Sequence, residues 1–172
     1  NKSSSPALTN CVFSSNKATS NYGGVIYNES SSSPLLINCL VTFNSATTGG
    51  GAIYNSSSSP TLINCTLFGN SASTGGSICN SSSNPVLTNC ILWKNGSAQI
   101  YNSSSTPAIT YCDVEGGYSG ARNKNLDPQF VKLPWQGPDL TWGTADDVAG
   151  DYRLRTGSPL LNAGLNSAVT VA

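Results

Sequence analysis

"GGAIYNSSSSPTLINCTLFGN", residues 50–70, packs a double glycine, a serine run, a proline and an Asn-Cys pair into one short segment. The same order recurs along the chain, in rows running Asn1–Pro6, Asn28–Pro34, Asn55–Pro60, Asn80–Pro85 and Asn102–Pro107. Two residues past each proline stands an aliphatic residue: Leu8, Leu36, Leu62, Leu87 or Ile109. Asn10, Asn38, Asn64 and Asn89 follow, with Tyr111 in the fifth row, and the next residue is always cysteine: Cys11, Cys39, Cys65, Cys90 and Cys112. Two further on come Phe13, Val41, Leu67, Leu92 and Val114, and the unit closes on Ile26, Ile53, Ile78 and Ile100. A repeat of this length is the signature of a stacked architecture.

The cysteine spacings of 28, 26, 25 and 22 vary while the apolar positions hold, so strands are fixed and loops absorb the difference. Apolar residues two apart, bounded by Gly, Pro, Asn and Ser, read as short strands, and no segment has helical periodicity. The aliphatic residue and the cysteine are three apart, which on one straight strand would place them on opposite faces. A corner at the Asn, a residue tolerant of left-handed backbone, turns both inward. Three short strands and three turns per unit predict an all-β chain: a right-handed parallel β-helix of about five coils over residues 1–116. Like then stacks on like. Asn10, Asn38, Asn64 and Asn89 are expected to form an inner amide ladder. Tyr27, Tyr54 and Tyr101 are expected to stack outside, with Cys79 in the Tyr position pointing outward or into a groove.

The 172 residues are 38% hydrophobic and 9% charged, with eight basic and eight acidic side chains. That is enough for one core-bearing domain. It leaves no basic footprint for nucleic acid, and neither a membrane-spanning run nor a signal peptide is read. The chain begins at Asn1 rather than Met, as a processed chain or a piece of a longer one would. Residues 117–172 hold five of the eight bases and five of the eight acids, and read as a loop-rich C-terminal cap over the last strand edges. Within it "SPLLN" at 158–162 echoes "SPLLIN" at 33–38 and suggests a last degenerate coil.

"GGAI" at 50–53, "GGVI" at 23, "GGSI" at 75 and "FSSN" at 13–16 resemble the repeats of polymorphic outer membrane proteins, with Val41–Asn44, Leu67–Asn70 and Leu92–Asn95 in the FxxN places. The segments "LDPQFV" and "GPDLTWGTADDVAGDYRLRTGSPLLNAG", within residues 126–164, resemble the C-terminal end of a wider class of exported bacterial β-helix proteins. The resemblance implies a secreted or surface-displayed chain with a structural or adhesive role, partnered by itself or by a surface glycan or receptor.

The candidate sites follow from the stack. The five row cysteines fall in one interior column. Their spacing permits a bridge by distance, but in-register parallel strands rarely give the torsion, so they read as buried free thiols, and Cys79 as the reactive or intermolecular one. Asp139, Asp146, Asp147 and Asp151 gather among glycines as a candidate Ca²⁺ loop. A polysaccharide lyase or hydrolase needs clustered acids, and the coils supply Glu29, Asp113 and Glu115 alone, so no catalytic set is read. Carbohydrate binding stays open as an alternative. Ice or flat-surface binding asks for ranked outward threonines, whereas the column reads Thr9, Ile37, Ile63, Thr88, Thr110. Asn1, Asn28, Asn55, Asn80 and Asn102 each open an Asn-x-Ser acceptor sequence, read as a turn requirement rather than as glycan sites. Finally, Leu8 and Phe13 under an uncovered first coil, with the alternating segment Ala168, Val169, Thr170, Val171, Ala172, predict head-to-tail assembly into an extracellular fibre.

Overall fold

The computed structural model describes residues 1–140 and 144–168. Three parallel sheets of four or five strands wrap one interior, and a two-stranded parallel pair, Lys17–Ala18 with Ser45–Ala46, adds to them. The first joins Ala7–Thr9, Leu35–Ile37, Thr61–Ile63, Val86–Thr88 and Ala108–Thr110. The second joins Val12–Ser14, Leu40–Thr42, Thr66–Phe68, Ile91–Trp93 and Asp113–Val114. The third joins Ile26–Asn28, Ile53–Ser56, Ile78–Ser81 and Ile100–Ser103, so the five expected coils amount to four complete turns. Pairing is in register throughout, Leu36 lying against Leu8 and Leu62, and Val41 against Phe13 and Leu67.

The interior columns are those read from the sequence: Leu36, Leu62, Leu87 and Ile109 from the first sheet, Val41, Leu67, Leu92 and Val114 from the second, Ile53 and Ile78 from the third, all buried. Coil length varies mainly between the Asn that closes the FxxN unit and the next isoleucine, 10, 9, 8 and then 5 residues apart in successive coils. This is the side of the coil that carries the double glycines. Gly50 holds a left-handed φ of 65°, and a Cβ on Gly51 would run into the carbonyl oxygen of Gly76 in the next coil. One glycine makes the turn and the other lets neighbouring coils touch.

Asn10, Asn38, Asn64 and Asn89 do turn corners, with φ of 53–56°, and Tyr111 keeps the geometry at 55°. Their ladder forms, with Nδ2 of Asn38, Asn64 and Asn89 donating to Oδ1 of the preceding coil at 3.0–3.2 Å. It runs along the surface, however, and not inside. The corner turns the strands inward and therefore swings its own side chain out. Two further ladders hold the interior. Asn28, Asn55 and Asn80 are fully buried, and amides donate at 2.8–2.9 Å from Asn1 through each of them to Asn102. Asn16, Asn44, Asn70 and Asn95 form the other, each Nδ2 reaching the next Oδ1 at 2.8–2.9 Å. There the next coil's Oδ1 also accepts the backbone N–H of Asn16, Asn44 and Asn70.

The region after residue 116 does two things. Residues 118–124 lie across the end of the stack, where Tyr118 Oη accepts from Asn102 and Lys124 exchanges backbone hydrogen bonds with Cys112 and Val114. The rest folds back along the outer side of the second sheet. There an antiparallel pair, Phe130–Lys132 with Asp151–Leu154, brings Phe130 and Tyr152 against Phe68, ring centroids 5.3–5.9 Å apart. The tail is thus more a side brace than an end cap. Residues 158–162 form turns and add no strand to the stack, because Ser158 is tied instead to the tail, its hydroxyl donating to Pro128 O at 2.7 Å.

The buried ladders carry more stability than the surface one, because removing one amide orphans a buried donor and a buried acceptor. Asn55→Ala is expected to lower unfolding free energy by about 2–4 kcal/mol, and Asn38→Gly, which keeps the left-handed corner, by under about 1 kcal/mol, as measured by urea denaturation.

Candidate functional site

The open side of the first coil is the first place to look for function. Ala7–Thr9 and Val12–Ser14 each have a strand partner on one side only among the described residues. Leu8 and Phe13 lie half-buried beneath that side against the core, and Val12 is exposed. The amide ladders give the end a polarity. Both buried ladders donate away from the first coil, so Asn1 and Asn16 turn their Oδ1 acceptors toward its open side, while the surface ladder runs oppositely and turns Asn10 Nδ2 there. At the far end each ladder meets a different terminator: Tyr118 Oη, Gln99 with Glu115, and the backbone of Leu165. Ala168 ends the short 3₁₀ turn Asn166–Ala168, and Val169, Thr170, Val171 and Ala172 lie outside the described residues.

The cysteine column is interior, and Cys11, Cys39, Cys65, Cys79, Cys90 and Cys112 are all free thiols. Each row cysteine hydrogen bonds to the carbonyl two residues back: Thr9, Ile37, Ile63, Thr88 and Thr110, at 3.2–3.4 Å. That contact explains the Asn-Cys pair, since the left-handed Asn turns this carbonyl toward a short side chain with a weak donor. Burial pushes the Cys90 thiol well above its ordinary value, and hydrogen bonds shared with Cys112 and Cys65 add to the rise. Cys79 lies on the outer side of its strand, in a groove that Gly49 and Thr74 cover. It is 5% exposed, because a thiol is too short to emerge between its column neighbours Tyr54 and Tyr101, and burial raises its pKa against an opposing hydrogen bond from Thr74. Tyr27 and Tyr54 stack at 5.4 Å with Tyr22 tilted beside them, so Tyr22 joins a column that Cys79 cuts off from Tyr101.

The four aspartates of the acidic loop do not converge. Both oxygens of Asp151 are taken by the Arg153 guanidinium, which holds its carboxyl down at about 2. Asp146 accepts from Thr144 Oγ1 and Asp147 from the Thr144 N–H, as in a solvated turn, and Asp139 is exposed. No group of three or more metal-ligating side chains occurs among the described residues. The acceptor-sequence asparagines Asn28, Asn55 and Asn80 are inside, their Nδ2 atoms spent on the ladder. The turn that sequence reading assigned to them is made two residues later, at the left-handed Ser3, Ser30, Ser57, Ser82 and Ser104.

Asp113 was legible only as one acid among three. The tail folds over the sheet face that carries it and leaves it 3% exposed, with Oδ1 accepting from the Leu126 N–H at 3.0 Å. Burial raises its pKa from 3.8 to about 6, outweighing the Leu126 hydrogen bond and the attraction of Lys124. Among the described residues it is the one charged side chain that is buried.

Two measurements follow. Between pH 4 and 6 the folded chain holds a proton at Asp113 that the unfolded chain has released, so stability falls as pH rises through that window and Asp113→Asn flattens the fall, read by denaturation at stepped pH. Iodoacetamide labelling with mass spectrometry should modify half-buried Cys11 first, the other five reacting slower by on the order of 100-fold until the chain is denatured.

A family model described as "Right handed beta helix region" matches residues 1–125. No curated protein and no solved structure matches the chain. The match spans the whole stack and its covering segment, and with the in-register parallel sheets it shows that the chain belongs to the right-handed β-helix family.

Proposed function

We propose that this chain is a structural or adhesive module of the cell exterior, acting through its rod shape and its repeated faces, and that it associates head to tail. The observation that carries the reading is the polarity of the stack. Among the described residues the strands of the first coil are paired on one side only, and two amide acceptors and one amide donor face the other side, where a further coil would sit roughly 4.8 Å away. At the other end Ile100–Ser103 likewise has a strand partner on one side only among the described residues. A heterologous contact of this kind does not close on itself and propagates. A surface solvated by hydroxyls and amides, with few charges, suits an exported chain and supports the same reading.

Light scattering across a concentration series tests it. The expected result is mass that grows with concentration, with Leu8→Lys weakening association by about tenfold or more, because a buried lysine charge costs over about 1.4 kcal/mol. A wild-type chain that stays a monomer at every concentration would sink the proposal, as would a Leu8→Lys chain that associates equally well.

A further inference from the structure

The stack does not stop level. Residues 121–124 repeat, one coil on, the hydrogen bonds of residues 110–113. Ala121 O accepts the Tyr111 N–H, as Thr110 O accepts that of Asn89, and the Lys124 N–H donates to Cys112 O, as the Asp113 N–H does to Cys90 O. Arg122 holds the left-handed corner at φ 61°, and Asn123 Oδ1 accepts the Cys112 N–H where Cys112 Sγ accepts that of Cys90. The first two sheets therefore have a partial sixth row. Its third-sheet strand is missing, because residues 115–120 alone join Val114 to Ala121, where the longer run 93–109 joins Leu92 to Thr110.

The omission leaves a notch. In it lies a cavity of about 400 Å³, whose lining includes Ala98, Gln99, Ile100, Val114 and Tyr118. Ile100 is half-buried there, whereas its column neighbours Ile26, Ile53 and Ile78 are buried beneath further coils. One coil back, the N–H groups of Ile78 and Ser82 donate to Gln99 O and Ser103 O, but those of Ile100 and Ser104 have no such acceptor among the described residues. Unmade backbone bonds beside an uncovered apolar side chain are what an added strand satisfies.

The in-register rule of the stack specifies that strand. It runs parallel to Ile100–Ser103, as each third-sheet strand does to the next. Its first residue must be aliphatic to enter the cavity above Ile100. Its second points outward over Tyr101, where an aromatic ring stacks as Tyr27 does on Tyr54. Its third must be small, because Tyr118 Oη already accepts from Asn102 Nδ2 at 2.8 Å and fills the place of the next asparagine amide. Glu115, whose Oε2 accepts from the Lys94 N–H and Gln99 Nε2, lines the same cavity and disfavours an acid there.

We propose that this notch binds an extended peptide segment of another protein, patterned aliphatic, aromatic, small, which adds as the fifth strand of the third sheet. A second copy's first coil seated on the sixth row of the first two sheets leaves the notch unfilled, so the assignment does not rest on head-to-tail association.

Hydrogen exchange followed by NMR, with the peptide acetyl-Gly-Ala-Ile-Tyr-Ser-Ser-amide, tests it. Binding is expected with a Kd on the order of 0.1 mM, and saturating peptide should slow exchange at the Ile100 and Ser104 N–H groups about tenfold or more. A peptide with Asp in place of Ile should bind about tenfold or more weaker, and so should wild-type peptide to Ile100→Lys and to Ala98→Asp. Ala98 is exposed at the rim, so Ala98→Asp keeps the test open should Ile100→Lys disturb the end coil, which circular dichroism checks. The Leu8→Lys chain is expected to bind like wild type, which separates this site from the head-to-tail contact. Unchanged exchange at about 5 mM peptide overturns the proposal, as does an Asp peptide that binds equally well, or undiminished binding by both notch variants.

Discussion

Every coil must place the same kind of group above itself as below, and that translational constraint governs this protein. A carboxamide meets it alone among strongly polar side chains, because it donates from one end and accepts at the other and so pairs with its own copy. A column of carboxylates at the same spacing would cost about 3–4 kcal/mol per neighbouring pair even at an effective dielectric constant near 20. The stack accordingly buries Asn28, Asn44, Asn55, Asn70, Asn80 and Asn95, and no charged column. The low charge of the chain is a consequence of its geometry before it is a statement about its surroundings.

The serines extend the same logic to the backbone. Ser58 and Ser83 are buried, and each hydroxyl accepts the backbone N–H of its counterpart one coil earlier, Ser32 and Ser58, at 3.0 Å. A corner that breaks the strand ladder leaves donors unpaired, and here side chains one coil away satisfy them. The cysteines do the corresponding service for the carbonyl before each left-handed Asn. Inward apolar residues thus fill the strand centres, and inward polar residues gather at the bends and strand ends.

Such a stack is rigid along its sides and chemically distinct at its ends. Where it terminates, translation fails and other groups become possible. The fifth row replaces Asn with Tyr111, and the strand position of Leu40, Thr66 and Ile91 with Asp113. An acid is tolerated there because no copy of it stands in the coil beneath. The ladder of Asn95 closes on Gln99 because the shortened loop, five residues from Asn95 to Ile100, brings that side chain to where a next-coil asparagine would sit. The ends, not the repeated faces, are where this molecule departs from its own rule and offers chemistry.

The strand columns, the left-handed Asn corners and the parallel β-helix were legible in the amino-acid sequence, because a repeat imposes them row by row. What was not legible was which asparagines face in. Asn38 and Asn28 look alike in a repeat, yet the first occupies a positive-φ corner that throws its side chain outward and the second ends a strand whose alternation points it inward. The tail had no repeat to read it by. Its course along the second sheet rests on Phe130 and Tyr152 packing against Phe68, a contact more than 60 residues apart in sequence. That long-range packing brings Leu154 and Leu160 to the sheet, while the segment of Lys124 and Leu126 covers Asp113, and together they line a cleft.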